Sequence, residues 1–409
     1  MITRFRVQNY KALRDVTLDL TPVHVLIGPN DSGKTSILEA IAALCRSVDH
    51  PVTEMFLGRW QGSELVSGPH RGIVELTASL AINDHPNLEY GVAAIFGVAE
   101  RHAVLFRESF KSEDGIEFLL TEAKLTTQVH DFGNDAVTAT LGISRSDRVN
   151  IHGDPTEFMR FAVDISVSLS NVFYHRWEPS FLSLPVAPDS KRRFRMDHNG
   201  FGLALFLDDI LGYDRHLFTK MEERFCSIFP HVKAIRLQAQ PAFRSTFDNP
   251  SQITILQPAE GKGLYFELKE DCKLLPASLV SDGLLIVLAY LAILYAPNPP
   301  RVLLIEEPEN GIHPGRLKEI IRIIKQLVSE QSHTQVVMTT HSPYVLHEFS
   351  PEDVTLCVRE PNGEVKTRCL SDSKSVHDLN DVFGLGEIWT IDGDDKLMEK
   401  FEPVEQTTP

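Results

Sequence analysis

Long apolar runs, cysteine pairs, heptads and histidine clusters are all missing from this 409-residue chain. No hydrophobic stretch reaches the roughly 20 residues that a bilayer-spanning helix needs, so no membrane anchor is expected. The opening Met1-Ile2-Thr3-Arg4-Phe5-Arg6 carries charge but is not followed by the apolar core of a secretory leader. Five cysteines (Cys45, Cys226, Cys272, Cys357, Cys369) lie scattered with no C-x-x-C pair. That pattern excludes a disulfide framework and a zinc site, and points to reduced, buried thiols in a cytoplasm. The 16 histidines are dispersed without ligand spacing, which removes a histidine-rich metal centre. Without sustained heptads a long coiled-coil arm is not expected, and no internal repeat is visible. A net charge of −16 argues against a surface broadly coated for nucleic acid, although a local basic groove stays open.

What remains is the composition of an ordinary globular protein, 43% hydrophobic and 23% charged, with length for one to three domains. Val25-Leu26-Ile27 reads as a short buried strand, and a helical pattern (Ile37, Leu38, Ala40, Ile41) begins after Thr35. Between them stands Gly28-Pro29-Asn30-Asp31-Ser32-Gly33-Lys34-Thr35, followed by Ser36: G-x-x-x-x-G-K-T in a strand–loop–helix context. The glycines let the backbone curl so that N–H groups converge on phosphate oxygens, helped by the helix N-terminus. Lys34 neutralises phosphate charge and the Thr35 hydroxyl ligates Mg²⁺ in such loops. A chance match in a chain of this length is roughly a one-in-a-hundred event, so nucleotide binding is the expectation.

Around this loop, Ile2, Phe5 and Val7 begin an edge strand, and Val16, Leu18 and Leu20 alternate in a second. Residues 50–175 read as an antiparallel β layer, with strands near 73–82, 90–98, 102–106, 116–129 and 136–143 and polar turns between them. Asn171-Val172-Phe173-Tyr174 looks like one more core strand. Residues 203–211 and 216–229 have apolar positions at helical spacing, whereas 232–237, 252–256 and 264–268 return to strands. From 276 to 358 helices and strands alternate, and the tail holds a hairpin, a short helix and an acidic, frayed end. The expected organisation is an N-terminal lobe (1–175), a helical insert (176–230), a second α/β lobe (231–358) and a tail (359–409).

That second lobe carries further chemistry. Val302-Leu303-Leu304-Ile305 is a buried strand ending in Glu306-Glu307-Pro308-Glu309. A carboxylate there can reach the Mg²⁺ shell through Glu306, while Glu307 is placed to polarise an attacking water as general base. The competing reading is a solvated acidic turn that caps the next helix. Ser281-Asp282-Gly283 opens an apolar helix and offers a helix N-terminus to an anion; a plain helix start is the alternative. Val336-Val337-Met338-Thr339-Thr340 is a second buried strand, ending in His341, which can contact a γ-phosphate or hold the water, or serve structure alone. Lys191-Arg192-Arg193-Phe194-Arg195 either tracks a nucleic-acid backbone, with Phe194 for stacking, or is a solvated linker.

The order of these motifs resembles the ABC-type ATPase heads, in particular RecF-like, SMC-like and OLD-like AAA-family ATPases, across residues 1–46 and 276–358. On that resemblance Gly28 to Thr35 is the Walker A motif and Ser281-Asp282-Gly283 the signature. Glu306 and Glu307 become the Walker B acid and catalytic glutamate, Asn310-Gly311-Ile312-His313-Pro314 the D-loop, and His341 the switch histidine. Asn199-Gly200-Phe201-Gly202-Leu203-Ala204 and Gly384-Leu385-Gly386-Glu387-Ile388-Trp389 look like the same group. The resemblance implies an α/β P-loop NTPase of ABC type, with a mixed central sheet, an antiparallel β layer and a helical insert in place of a coiled coil. It also implies ATP and Mg²⁺ as cofactors, and a homodimer or higher oligomer in which Ser281 of one copy faces the phosphate loop of the other. An effector protein and DNA are further partners it allows; a membrane is not among them.

Asp282 stands where transport ATPases usually have glycine, and Glu306 replaces the commoner aspartate. A Q-loop glutamine has no clear counterpart, and Tyr174-His175-Arg176-Trp177 is the region to search. Asp392-Gly393-Asp394-Asp395 has the D-x-D look of the Toprim nuclease domain carried by OLD nucleases, but too few residues follow to build that domain, and an acidic turn is expected. Two functional classes follow: a DNA-linked ATPase of repair or anti-phage defence, and a slow ATP-binding scaffold that holds a separate toxin or nuclease.

Overall fold

The computed structural model describes residues 1–50, 52–56, 62–67, 73–82, 85–96, 103–112, 117–121, 155–189, 193–245, 255–270, 273–331 and 333–401. The expected strand 136–143, most of 116–129, the turn at Phe132-Gly133-Asn134-Asp135, Lys191, Arg192, Cys272 and the last eight residues lie outside them. Residues 1–172 with 335–409 form one compact unit and 173–334 a second. Among the described residues no helix is long and apolar enough to cross a membrane.

The first unit opens with β1 (Ile2–Tyr10), β2 (Leu13–Asp19), β3 (Val23–Ile27), α1 (Lys34–Arg46) and the short α2 (Val52–Met55). It continues through β4 (Ile73–Ile82), β5 (His85–Phe96), β6 (Ala103–Lys111), β7 (Glu117–Thr121) and α3 (Pro155–Leu169). An antiparallel layer has the order β2-β1-β4-β5-β6-β7. β1 is therefore interior, not the edge strand its sequence suggests: it pairs with β2 on one side and β4 on the other. Its Ile2, Phe5, Val7 and Tyr10 are all buried, which an edge exposed to water would not favour. α3 is a second departure, a helix in a stretch read as β-rich. Pro155 starts it, and Phe161, Ala162, Ile165 and Leu169 recur at helical spacing on its buried face.

The unit resumes at β13 (Gln335–Thr339), α9 (Pro343–Leu346), β14 (Val354–Arg359), β15 (Val365–Cys369), α10 (Lys374–Leu379) and α11 (Leu385–Leu397). Here β3 runs parallel to β13 on one side and β14 on the other, with β15 antiparallel outside. Gln335 ties this sheet to the antiparallel layer. Its side chain accepts from Ile2 N at 2.9 Å and donates to Ile2 O at 2.8 Å. The acidic run from Asp392 is part of α11, not a turn, and the helix breaks at Gly393 with φ 71°. Trp389 Nε1 donates to Asp394 and Lys396 to Asp392.

The second unit holds β8 (Val172–His175), α4 (Pro179–Leu182), α5 (Leu203–Tyr213), α6 (Arg215–Ile228), β9 (Val232–Ser245), β10 (Leu256–Leu268) and β11 (Leu274–Pro276). It ends with α7 (Asp282–Leu294), β12 (Val302–Glu306) and α8 (Pro314–Glu330). The side chains of α7 from Leu284 to Leu294 are buried on all sides, so this helix is a core element. α8 is amphipathic, burying Leu317, Ile320, Ile321, Ile324 and Leu327. Asp214 caps α6 by accepting from His216 N at 2.7 Å. β12 neighbours β8, and β9, β10 and β11 form an antiparallel sheet of their own.

One buried acid in the antiparallel layer has a measurable consequence. Tyr90 OH donates to Glu108 Oε1 at 2.8 Å and lies 2.8 Å from Ser47 Oγ, just past the end of α1. Burial pushes the Glu108 carboxyl up to about 8 from its ordinary 4.5, with the Tyr90 bond pulling the other way. The unfolded chain therefore releases this proton first as pH rises. Stability is fully present below about 4.5 and is lost up to about 8, by roughly 1.4 kcal/mol per pH unit. Glu108→Gln is expected to unfold at higher denaturant than the parent at pH 8.5, with the gap closing at pH 5; denaturant titrations at the two pH values measure it.

Candidate nucleotide and metal site

The phosphate loop lies in the first unit. Gly28 ends β3 with φ 133° and Gly33 precedes α1 with φ 91°, conformations that L side chains rarely adopt. A Cβ on Gly28 would sit 2.0 Å from the Cys357 carbonyl oxygen of β14, and one on Gly33 would sit 2.7 Å from Val365. Asp31 is also left-handed (φ 64°) and is paired with Arg359 of β14. Within the curl, Lys34 Nζ donates to Gly28 O at 3.0 Å, Pro29 O at 2.7 Å and Ser32 Oγ at 3.1 Å. Lys34 and Ser32 are buried, whereas Pro29, Asn30, Asp31 and Thr35 are exposed and Ser36 half-buried. A curled loop closed by a buried ammonium, at the start of a 13-residue helix, fits a phosphate group. The nearby Cys357 thiol is pushed up to about 12 by burial, so it is no nucleophile.

His341 follows β13, whose Thr339 is in register with Leu26 of the parallel β3. Thr340 N donates to Leu26 O at 3.0 Å, so His341 leaves the sheet at the same edge as the phosphate loop.

The carboxylates lie in the second unit. Glu306 ends β12 with its side chain only 3% exposed. Tyr174 OH donates to Glu306 Oε1, and Arg176 Nη1 lies 3.5 Å from Oε2. Glu307 has left-handed backbone (φ 48°) and a side chain 23% exposed, with Arg176 Nη2 3.9 Å from its Oε2. Asn310 N donates to Glu307 O at 2.9 Å and its Nδ2 to Oε2 at 2.6 Å. A strained backbone over-determined by such bonds aims the Glu307 carboxylate rather than leaving it to solvent. The two glutamates are thus not a loose acidic turn. Hard oxygen donors of this kind match the preference of Mg²⁺. Among the described residues no group of three or more histidine, cysteine, aspartate or glutamate side chains is placed to hold a metal ion.

Ser281 caps α7 without spending its hydroxyl on a cap bond, and Ser281 and Asp282 are exposed. They line a cavity of about 620 Å³ together with Phe229, Gly311, His313 and Arg316. His313 caps α8 by accepting from Gly315 N at 3.1 Å. The Arg316 guanidinium lies 5.0 Å from the Phe229 ring and donates to Ile228 O at 3.0 Å. Gly311 (φ 74°) turns beside Asp282, where a Cβ would meet that side chain at 3.5 Å.

Within the first unit the loop and His341 leave the sheet at one edge; within the second, Glu306 and Glu307 end β12, and Ser281-Asp282-Gly283 lies beside Gly311 and His313. Sequence reasoning pointed to the 174–177 region without assigning roles, and it missed Arg359 and Arg316. Hydrogen-bond partners 132 and 328 residues apart leave no local pattern to read.

Two family models match the chain. Residues 1–92 match "AAA ATPase domain", and residues 172–347 match "AAA domain, putative AbiEii toxin, Type IV TA system". The chain is 46% identical over 41 residues to an OLD nuclease from Thermus scotoductus, 10% of this chain and 8% of that protein's length. The SMC head domain bound to the C-terminal domain of ScpA, derived from Pyrococcus furiosus, has a TM-score of 0.50 at 12% identity. That match covers 93% of this chain and 99% of the other, and it shows the fold alone. An SMC head bound to the C-winged helix domain of ScpA gives a TM-score of 0.49 at 13% identity, covering 90% and 98%.

Because the Gly28 Cβ position is occupied by a backbone oxygen, Gly28→Ala is expected to cost more than about 2 kcal/mol of stability. Chemical denaturation measures the loss.

Proposed function

We propose that the chain, whose residues 1–92 and 172–347 match AAA ATPase domain models, binds Mg–ATP at the Gly28–Ser36 loop and hydrolyses it with Glu307 as base. The observation that carries this reading is the loop itself, curled by Gly28 and Gly33 around the buried Lys34 ammonium. Its backbone N–H groups and Lys34 take the β- and γ-phosphates, and Thr35 and Glu306 hold Mg²⁺. When bound, Mg²⁺ neutralises charge on the transferring phosphoryl group. Glu307, aimed by Asn310, accepts the proton of the water that attacks the γ-phosphorus, and ADP leaves with the β–γ bridging oxygen. His341 holds that water or contacts the γ-phosphate. The reading requires both parts of the chain to act on one nucleotide.

The exposed Ser281-Asp282-Gly283 and the cavity beside it are the surface we assign to the nucleotide of a second copy, giving an ATP-sandwiched homodimer. Each half-site alone then turns over slowly, because the signature arrives from the partner.

For the process served, we favour a cytoplasmic ATPase of anti-phage defence or DNA repair that licenses an effector through ATP-driven dimerisation. Support comes from the matched family description, which names a toxin of a type IV system, and from the OLD nuclease likeness. Those names leave a second reading standing: a slow ATP-bound scaffold that restrains a separate toxin or nuclease without touching DNA. Stimulation of ATP turnover by DNA favours the first, and tight co-purification of a partner with no DNA effect favours the second.

Lys34→Ala is expected to lower nucleotide affinity about 10- to 100-fold, the worth of charged hydrogen bonds. Glu307→Gln is expected to keep ATP binding, lower turnover by about 10²- to 10⁴-fold and accumulate a dimer with ATP. Equilibrium nucleotide binding, phosphate release and size-exclusion with ATP read these outcomes; parental turnover in Glu307→Gln contradicts the base assignment.

A further inference from the structure

Strand β8 and the residues just after it present alternate side chains to opposite sides, as an extended backbone must. On one side Trp177 packs on Tyr290 of α7 with ring centroids 4.5 Å apart, and His175 lies 5.1 Å from Trp177. On the other, Tyr174 and Arg176 meet the acidic end of β12. The Tyr174 phenol donates to one oxygen of Glu306, while the Arg176 guanidinium lies 3.5 Å from the other and 3.9 Å from Glu307 Oε2.

The two donors differ in a way that matters. Tyr174 is buried and donates to Glu306 from within the packed interior, so it orients that carboxylate. Arg176 is long-reaching and 53% exposed, and it straddles two carboxylates at long range where a bidentate grip on one would be tighter. A guanidinium held this way can rotate into water at small cost, while the aromatic contacts of Trp177 keep the backbone in place.

The geometry points to Arg176 as an internal counter-cation, a positioning residue that partly offsets the charge of Glu306 and Glu307 in the nucleotide-free chain and that Mg²⁺ displaces when it arrives with nucleotide. This rests on the ATP reading above. One guanidinium offsets at most one of the two carboxylate charges, and an arriving divalent cation competes with it for the same oxygens. Arg176 therefore sets the metal concentration at which the site fills, and damps metal capture in the absence of nucleotide.

The test measures metal binding, not turnover. Free Mn²⁺ is followed by electron paramagnetic resonance during titration of the full chain with a non-hydrolysable ATP analogue present. Comparison is among the parent, Arg176→Gln and Arg176→Lys. Removing one exposed cation is expected to lower the half-saturating Mn²⁺ about two- to five-fold in Arg176→Gln, with Arg176→Lys near the parent and metal-free analogue binding equal in all three. If the glutamine variant does not fold, Arg176→Ala is read the same way. Unchanged or weaker Mn²⁺ binding in the neutral variant overturns the counter-cation role while leaving the ATP reading in place. A parent that takes up no Mn²⁺ with the analogue overturns both.

Discussion

A side chain at residue 28 would have to share space with the Cys357 carbonyl oxygen, 2.0 Å from where its Cβ would stand. This close approach of β14 to the end of β3 is the constraint from which the loop follows. Because only glycine fits, the chain can turn at once into a left-handed conformation. The next five residues then curl around the Lys34 ammonium before α1 begins. The parallel pairing of β3 with β13 and β14 is what brings that carbonyl there and carries His341 to the same edge.

The second unit solves a different electrostatic problem. Two adjacent glutamates at the end of a buried strand repel each other and lose solvation. Tyr174, Arg176 and Asn310 supply donors that make the arrangement tolerable, and Asn310 holds the carboxylate of the left-handed Glu307. The same region carries α7, buried from Leu284 to Leu294, so Ser281-Asp282-Gly283 at its N-terminus stands on a core helix. The two carboxylates thus stand at the end of a packed strand, with Arg176 half in water beside them.

What could be read from the sequence was local. The apolar run before Gly28, the helical spacing after Thr35 and the all-apolar face of α7 each express themselves within 20 residues, and so the α/β class and the motif-bearing elements were legible. Pairing was not. β1 has the alternation of an edge strand, and nothing in residues 2–10 announces that β4 lies on its far side. The α3 helix was hidden because Phe161, Ala162, Ile165 and Leu169 sit among β-branched neighbours that also suit a strand. At the site, the motif residues were nameable from spacing, but the Tyr174 and Arg176 donors to Glu306 depend on β8 lying beside β12, a tertiary fact.

The central claim is that Lys34 and the Glu306–Glu307 pair serve one triphosphate. Its most direct measurement is a crystal structure of the full chain grown with Mg²⁺ and a non-hydrolysable ATP analogue. The account predicts phosphate oxygens within hydrogen-bond distance of Lys34 Nζ, with Mg²⁺ held by Thr35 Oγ1 and reached by Glu306 directly or through one water. A triphosphate bound away from the Gly28–Ser36 loop, or bound there with the two glutamates remote from its γ-phosphate, would contradict it.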